Sequence, residues 1–192
     1  MYVKGKISRS LGILYKCQKY FDSETLLMLY NSFIYPHFTY CISVWGNTCK
    51  SYLSAIISLQ DRAVRLISGA RKSAEMPILY VKHNLLDFLK IYLYSIQCFM
   101  FKYHHDMLPN VFDRFFLRNS DVHQRNTKSS HLFHIPLCHT EARSISVCLS
   151  GVKCYNYLFD KLPLSMTLSQ YKVILKTYLL ESDLEKVLNS PK

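Results

Sequence analysis

Between Glu24 and Lys50 the chain carries no Asp, Glu, Lys or Arg, although the whole sequence holds 24 Lys and Arg. A stretch that long without a charged side chain either crosses a membrane or lies in a core. Its length suits a span. Against a span, Asn31, Ser32, Pro36, His37, Thr39 and Ser43 interrupt it, and its aromatic rings spread through the middle instead of gathering at two interfacial belts. The sequence therefore predicts a pair of core helices, with membrane association through residues 25–49 as the alternative. Pro36 has no amide hydrogen and is predicted to kink or break the helix that starts at Glu24. Asp22 or Ser23 offers the short oxygen side chain that caps such a helix. Leu26, Leu27, Leu29, Tyr30, Phe33 and Ile34 make this helix apolar on every side.

The rest of the chain reads as helix too. Five glycines and six prolines in 192 residues are too few breakers for many short strands joined by tight turns. Ile7 to Tyr20 is predicted as a basic amphipathic helix, with Ile7, Leu11, Leu14 and Tyr15 near one stripe. Tyr52 to Ser68 is the clearest helix: Leu53, Ile56, Ile57, Gln60, Ala63, Val64 and Ile67 recur at helical spacing. Arg62 and Arg65 fall opposite that stripe, and Gly69 is a natural stop. Gln60 lies on the apolar stripe and so needs a buried hydrogen-bond partner. Leu85 to His105 is predicted as a long helix with two apolar faces. One holds Leu89, Tyr92, Leu93, Ile96, Met100 and Tyr103; the other holds Ile91, Tyr94, Cys98 and Phe101. Either it sits centrally in a bundle, or its second face covers something outside this chain. From Arg118 to about Ser144 periodicity fails, and His123, His131, His134, His139 and Pro136 mark a long loop. A short helix is expected at Cys154–Phe159. A last one is expected at Ser169–Leu188, with Tyr171, Ile174, Leu175 and Tyr178 inward.

The formal net charge of +11 favours nucleic acid, an anionic membrane or an acidic partner. Nucleic acid is the first reading and a merely basic surface the alternative. Lys and Arg number twelve in residues 1–100 and twelve after, so no single basic tail carries the charge. Arg62, Arg65, Arg71 and Lys72 form the cluster best placed to follow a phosphate backbone, against the plainer reading of a solvated helix face. The seven cysteines form no CxxC pair, and the first twenty residues hold no apolar run of signal-peptide length. Reduced thiols and an intracellular location, in cytoplasm or nucleus, are expected.

Site chemistry is sparse. His123, Cys138, His139, Cys148 and Cys154 lack the tight paired spacing of zinc ligands. The eight aspartates lie at 22, 61, 87, 106, 113, 121, 160 and 183, with no adjacent pair for two-metal catalysis. There is no phosphate-cradling glycine loop and no GxSxG elbow. No catalytic residue, metal, cofactor or small-molecule substrate is expected.

In order along the chain come "LYNSFIYPHFTYCISVWGNT", "LQDRAVRLISGA", "HQRNTK" and "GVKCYNYLFDKLP". Together with the opening "KISRSLGILYK" they resemble the C-terminal end of non-LTR retrotransposon reverse transcriptases, the jockey-like elements in particular. The resemblance covers nearly the whole chain. Each motif alone is weak, and their order and spacing are what is specific. It implies a helical thumb and post-thumb region of an RNA-directed DNA polymerase that holds template–primer by backbone contacts. The paired aspartates of that family's palm precede the thumb and are absent here, so no polymerisation by this chain alone is expected; a truncated or decayed copy of an element is implied. In the loop, residues 123–128 fall at the place of the family's His-x-x-Asn-Thr-Arg pattern, which His123 matches; Arg125 and Lys128 depart from the family's usual residues. Lys128 stands where Arg is common and Arg125 where an aromatic is common. Lys keeps the charge without the planar fork. Tyr155 stands where Trp is usual. Arg143 joins these three as a further candidate for phosphate contact, while Trp45, Gln60 and Asn156 are expected to hold structure.

The expectation is thus an all-α fold: a bundle of about five or six main helices. Residues 1–116 would form a thumb-like bundle, 117–145 a loop, and 146–192 a helical segment packing on the bundle. Partners would be RNA or DNA backbone, and the polymerase body or further copies of the chain through apolar helix faces. A helical protein-interaction module is the rival reading.

Overall fold

The computed structural model describes residues 2–122 and 128–182, with backbone alone at 50, 141 and 142. Among the described residues the chain is all-α: one isolated antiparallel bridge joins Arg118 and Phe133, and there is no strand. Two compact units divide it, Met1–Tyr92 and Leu93–Lys192.

The first unit is built on three helices, α1 (Tyr2–Cys17), α2 (Ser23–Phe33) and α5 (Lys50–Ser68), which pack on one another. Ile7, Leu11 and Leu14 of α1 are buried as their stripe predicts, while Tyr15 is exposed. Asp22 caps α2, its Oδ1 accepting from the Thr25 amide at 3.1 Å. Bonds from Thr25 hold the Asp22 carboxyl below its usual range. The Ser23 hydroxyl donates to the Ile67 carbonyl at 2.9 Å and ties the start of α2 to the end of α5.

Pro36 does break the charge-free segment. α2 ends at Phe33 and α3 (Tyr35–Thr39) begins with the proline in its first turn, where no amide donor is required. Cys41 then takes a left-handed conformation, φ 51°, ahead of the one-turn α4 (Ile42–Trp45). The segment is thus three short helices, and no helix among the described residues is long and apolar enough to cross a membrane. It is not buried all round either. Leu26, Tyr30, Ile34, Phe38 and Ile42 face inward, while Met28, Phe33, Tyr40 and Val44 are exposed. Trp45 holds structure: its Nε1 donates to the Tyr40 carbonyl at 2.8 Å and its ring lies 5.5 Å from that of Phe88.

On α5, Ile56, Gln60, Ala63, Val64 and Ile67 are buried as predicted, but Leu59 takes the inward place expected of Ile57. Gly69 ends the helix at φ 59°, and the Ala70 amide closes the turn onto the Arg65 carbonyl. α6 (Met76–Lys82) is fixed to α5 by the Tyr80 hydroxyl, which donates to Asp61 Oδ1 at 2.9 Å. The Ser68 hydroxyl donates to the Val64 carbonyl and leaves its lone pairs for His83 Nε2 at 2.8 Å.

The unit boundary falls within α7 (Phe88–His104). This helix starts three residues later than predicted because Asp87 accepts from the Lys90 amide at 2.9 Å and caps it. Both of its apolar faces are buried: Tyr92, Leu93, Ile96 and Met100 on one, Ile91, Cys98 and Phe101 on the other. No bare second face is left on this helix for a partner.

In the second unit, α7 is followed by a 3-10 turn at Asn110–Phe115 and by α8 (Asn119–Val122), α9 (Glu141–Ser144), α10 (Val147–Leu158) and α11 (Leu168–Glu181). These short pieces raise the helix number above the expected one. α10 begins seven residues before the predicted start. At its buried Gly151 a Cβ would stand 3.1 Å from Met100 Sδ. α11 opens with a capping box between Thr167 and Gln170. It buries Tyr171, Leu175 and Leu179, whereas Ile174 is exposed. The end of that predicted helix, 183–188, lies outside the described residues.

The described part of the loop is anchored. Phe133 is buried against Tyr103, Phe116 and Tyr155. Asn156 grips its backbone twice, Nδ2 donating to the Phe133 carbonyl at 2.8 Å and Oδ1 accepting from its amide at 3.1 Å. This is the structural role expected of Asn156.

Burial pushes the Tyr155 hydroxyl up to about 12, so it keeps its proton, and it shares a hydrogen bond of 2.9 Å with His104 Nδ1. Burial, then the neighbouring His105 and Arg118, hold His104 below the ordinary histidine value of 6.5. An unfolded chain takes up this proton first. The contribution of His104 to stability is therefore level above about pH 6.5 and falls as pH drops through it toward the folded value. Urea midpoints at about pH 7.5 and about pH 5.5 are expected to fall more for the wild type than for His104→Gln. Equal losses would show that this histidine is not the titrating group.

Candidate nucleic-acid interface

Four of the predicted phosphate contacts occupy the end of α5 and the turn after it. Arg62 is exposed on the outer face of α5. Arg65, three residues on, is its neighbour on that surface. Arg65 is half-buried, and its Nε is enclosed with no hydrogen-bond partner among the described residues. The sequence set it beside Arg62 as a solvent-facing cation, but it is only partly open to solvent. The left-handed Gly69 then redirects the chain, and Arg71 and Lys72 follow, both exposed. The Ala74 amide bonds the Arg71 carbonyl at 3.1 Å and shapes this stretch into a turn. Among the described residues no ion pair engages Arg62, Arg65, Arg71 or Lys72.

The sequence reading passed over a second set of cations as site residues. α1 packs on α5 in the same unit. Lys4, Arg9 and Lys16 on α1, and Lys19 just beyond it, are exposed, and the first acidic residue of the chain is Asp22. The acid-free opening was the available signal. Its meaning depends on α1 burying Ile7, Leu11 and Leu14, which turns the cations outward.

The other predicted residues belong to the second unit or lie outside the described residues. Lys128 is exposed in the turn 128–130, and Arg143 is exposed on α9. His123 and Arg125 fall outside the described residues. Arg118 is spent on structure: its guanidinium sits 5.6 Å from the Phe133 ring centre and donates to the His131 carbonyl at 3.3 Å.

Among the described residues no three His, Cys, Asp or Glu side chains group to hold a metal ion. Cys98 and Cys154 are buried; burial pushes both thiols up, that of Cys154 to about 12, which keeps them protonated and poorly nucleophilic. What the first unit offers is a set of exposed cations with no ion pair among the described residues. No family model matches the chain, and no curated protein or solved structure matches it either.

Proposed function

We propose that this chain grips the phosphate backbone of RNA or of a primer–template duplex. In that role it would be the thumb and post-thumb part of a non-LTR retrotransposon reverse transcriptase, and it would supply no catalysis of its own. One observation carries the reading: exposed cations that have no ion pair among the described residues line the end of α5 and its following turn, and α1 packed on α5 adds more. Each cation that neutralises a phosphate releases a counterion, so such binding weakens steeply with salt.

The test is a titration of the purified chain with labelled RNA and with primer–template at several salt concentrations, beside an Arg62→Ala/Arg71→Ala/Lys72→Ala variant. The wild type is expected to bind at low salt with a steep salt dependence. The variant is expected to bind roughly tenfold or more weakly, with a log–log slope shallower by about 2. A folded sample that binds neither substrate at low salt removes this function.

A second reading is favoured by Met28, Phe33, Tyr40 and Val44, which expose apolar surface on the charge-free helices α2 to α4. A protein-interaction module using that face would bind equally well after the triple cation substitution.

A further inference from the structure

We infer that Ser73 is a phosphorylation site for a serine/threonine kinase that reads basic residues before its target, and that the added phosphate weakens the grip of the basic turn. The second half rests on the nucleic-acid reading above.

Ser73 directly follows Arg71 and Lys72. A chain with 24 Lys and Arg places many serines near a cation, and Ser129 and Ser130 also follow a cation, Lys128, in the turn 128–130. Ser73 is the serine that directly follows two, and its position in the fold adds to this. A kinase cleft takes an exposed, extended or turn segment more readily than a formed helix. Ser8 and Ser10 lie inside α1, and Ser51 and Ser68 inside α5. Ser68 and Ser146 have hydroxyls already donating to backbone carbonyls. Ser73 is exposed, lies in the turn between Gly69 and the start of α6, and its hydroxyl has no partner among the described residues.

The transfer moves the γ-phosphoryl group of ATP to Ser73 Oγ. The new oxygen–phosphorus bond forms as the bond from the γ-phosphorus to the β,γ-bridging oxygen breaks. ADP leaves, and the hydroxyl proton passes to the carboxylate base of the kinase. A phosphoserine brings about −1.5 to −2 charge and three strong acceptor oxygens. Beside Arg71 and Lys72 that is enough to cancel the turn's own charge. Both cations then have an intramolecular partner and are lost to an incoming phosphate strand.

The test treats the full chain with ATP and the catalytic subunit of the cAMP-dependent protein kinase, beside Ser73→Ala and a synthetic peptide of residues 67–78. Phosphate is read by mass spectrometry and RNA affinity by salt titration. The expected result is one phosphate at Ser73, none at that position in Ser73→Ala, and RNA binding weakened roughly tenfold with a shallower salt slope. Ser73→Ala is expected to bind RNA as the unmodified wild type does. A peptide that is modified while the chain is not would overturn the accessibility of the turn. No modification of either would overturn the kinase class. Phosphate at Ser73 with unchanged RNA affinity would overturn the switch. An unmodified chain that binds no RNA would sink the nucleic-acid reading and the switch with it, whereas the mass at Ser73 decides the modification site separately.

Discussion

Gly46→Ala is expected to destabilise the first unit by about 3 kcal/mol, because its added methyl meets closer contacts than one at any other glycine of the chain. The backbone is not the reason: Gly46 has φ −70° and ψ −11°, which any residue adopts. Space is the reason. A Cβ there would meet the Ile42 carbonyl oxygen at 2.6 Å, Tyr92 Cδ2 at 2.6 Å and Ile42 Cγ1 at 2.8 Å. Ile42 and Tyr92 are buried, so neither side chain can swing into solvent. The carbonyl is also held, because it accepts from the Gly46 amide at 2.7 Å. The relief has to come from moving α4, which disturbs the tilted contact of Trp45 with Phe88. Urea unfolding followed by circular dichroism measures the loss. Gly12→Ala is the control: Gly12 lies inside α1 with open space around it, and alanine there should add roughly 1 kcal/mol of stability. If the two substitutions behave alike, the packing of α4 described above is wrong.

Gln60→Ala is expected to cost about as much, roughly 3 kcal/mol, by a different route. Gln60 is fully buried, and its Nε2 donates to the Tyr30 hydroxyl at 3.1 Å and to the Leu86 carbonyl at 3.0 Å. It thereby links α2, α5 and the segment leading into α7. Alanine opens a cavity and leaves a buried carbonyl without a donor. Leucine restores the volume but not the donor, and should cost about 1–2 kcal/mol less than alanine does. The Gln60 Oε1 has no partner among the described residues, so the amide is kept for its two donors. Folded Gln60→Leu should bind RNA as the wild type does. A loss of RNA affinity without a loss of stability would move Gln60 from the core into the interface.

Part of the candidate site was legible in the chain as written. Charge tells which residues prefer water, and Arg62, Arg71 and Lys72 are exposed as their composition implied. Arg65 was read only in part, because helical spacing says where a residue points but not what leans over it. Lys4, Arg9 and Lys16 were passed over because their value depends on α1 resting on α5.

Stops and caps were readable for a simple reason: they act over a few residues. Asp22 meets the Thr25 amide, Gly69 adopts a positive φ, and Pro36 withholds a donor, all within one turn of themselves. Hydrophobic spacing likewise set the all-α class and most of the inward faces. It misplaced Tyr15, Ile57 and Ile174, each one step from the edge of a buried stripe, where the width of the contact and not its period decides. Tertiary structure alone decided why Gly46 has no side chain, which groups Gln60 serves, how Asn156 pins Phe133, and that both faces of α7 are covered. Each of those joins residues far apart in the chain, and no pattern within a single helix records what will be packed against it.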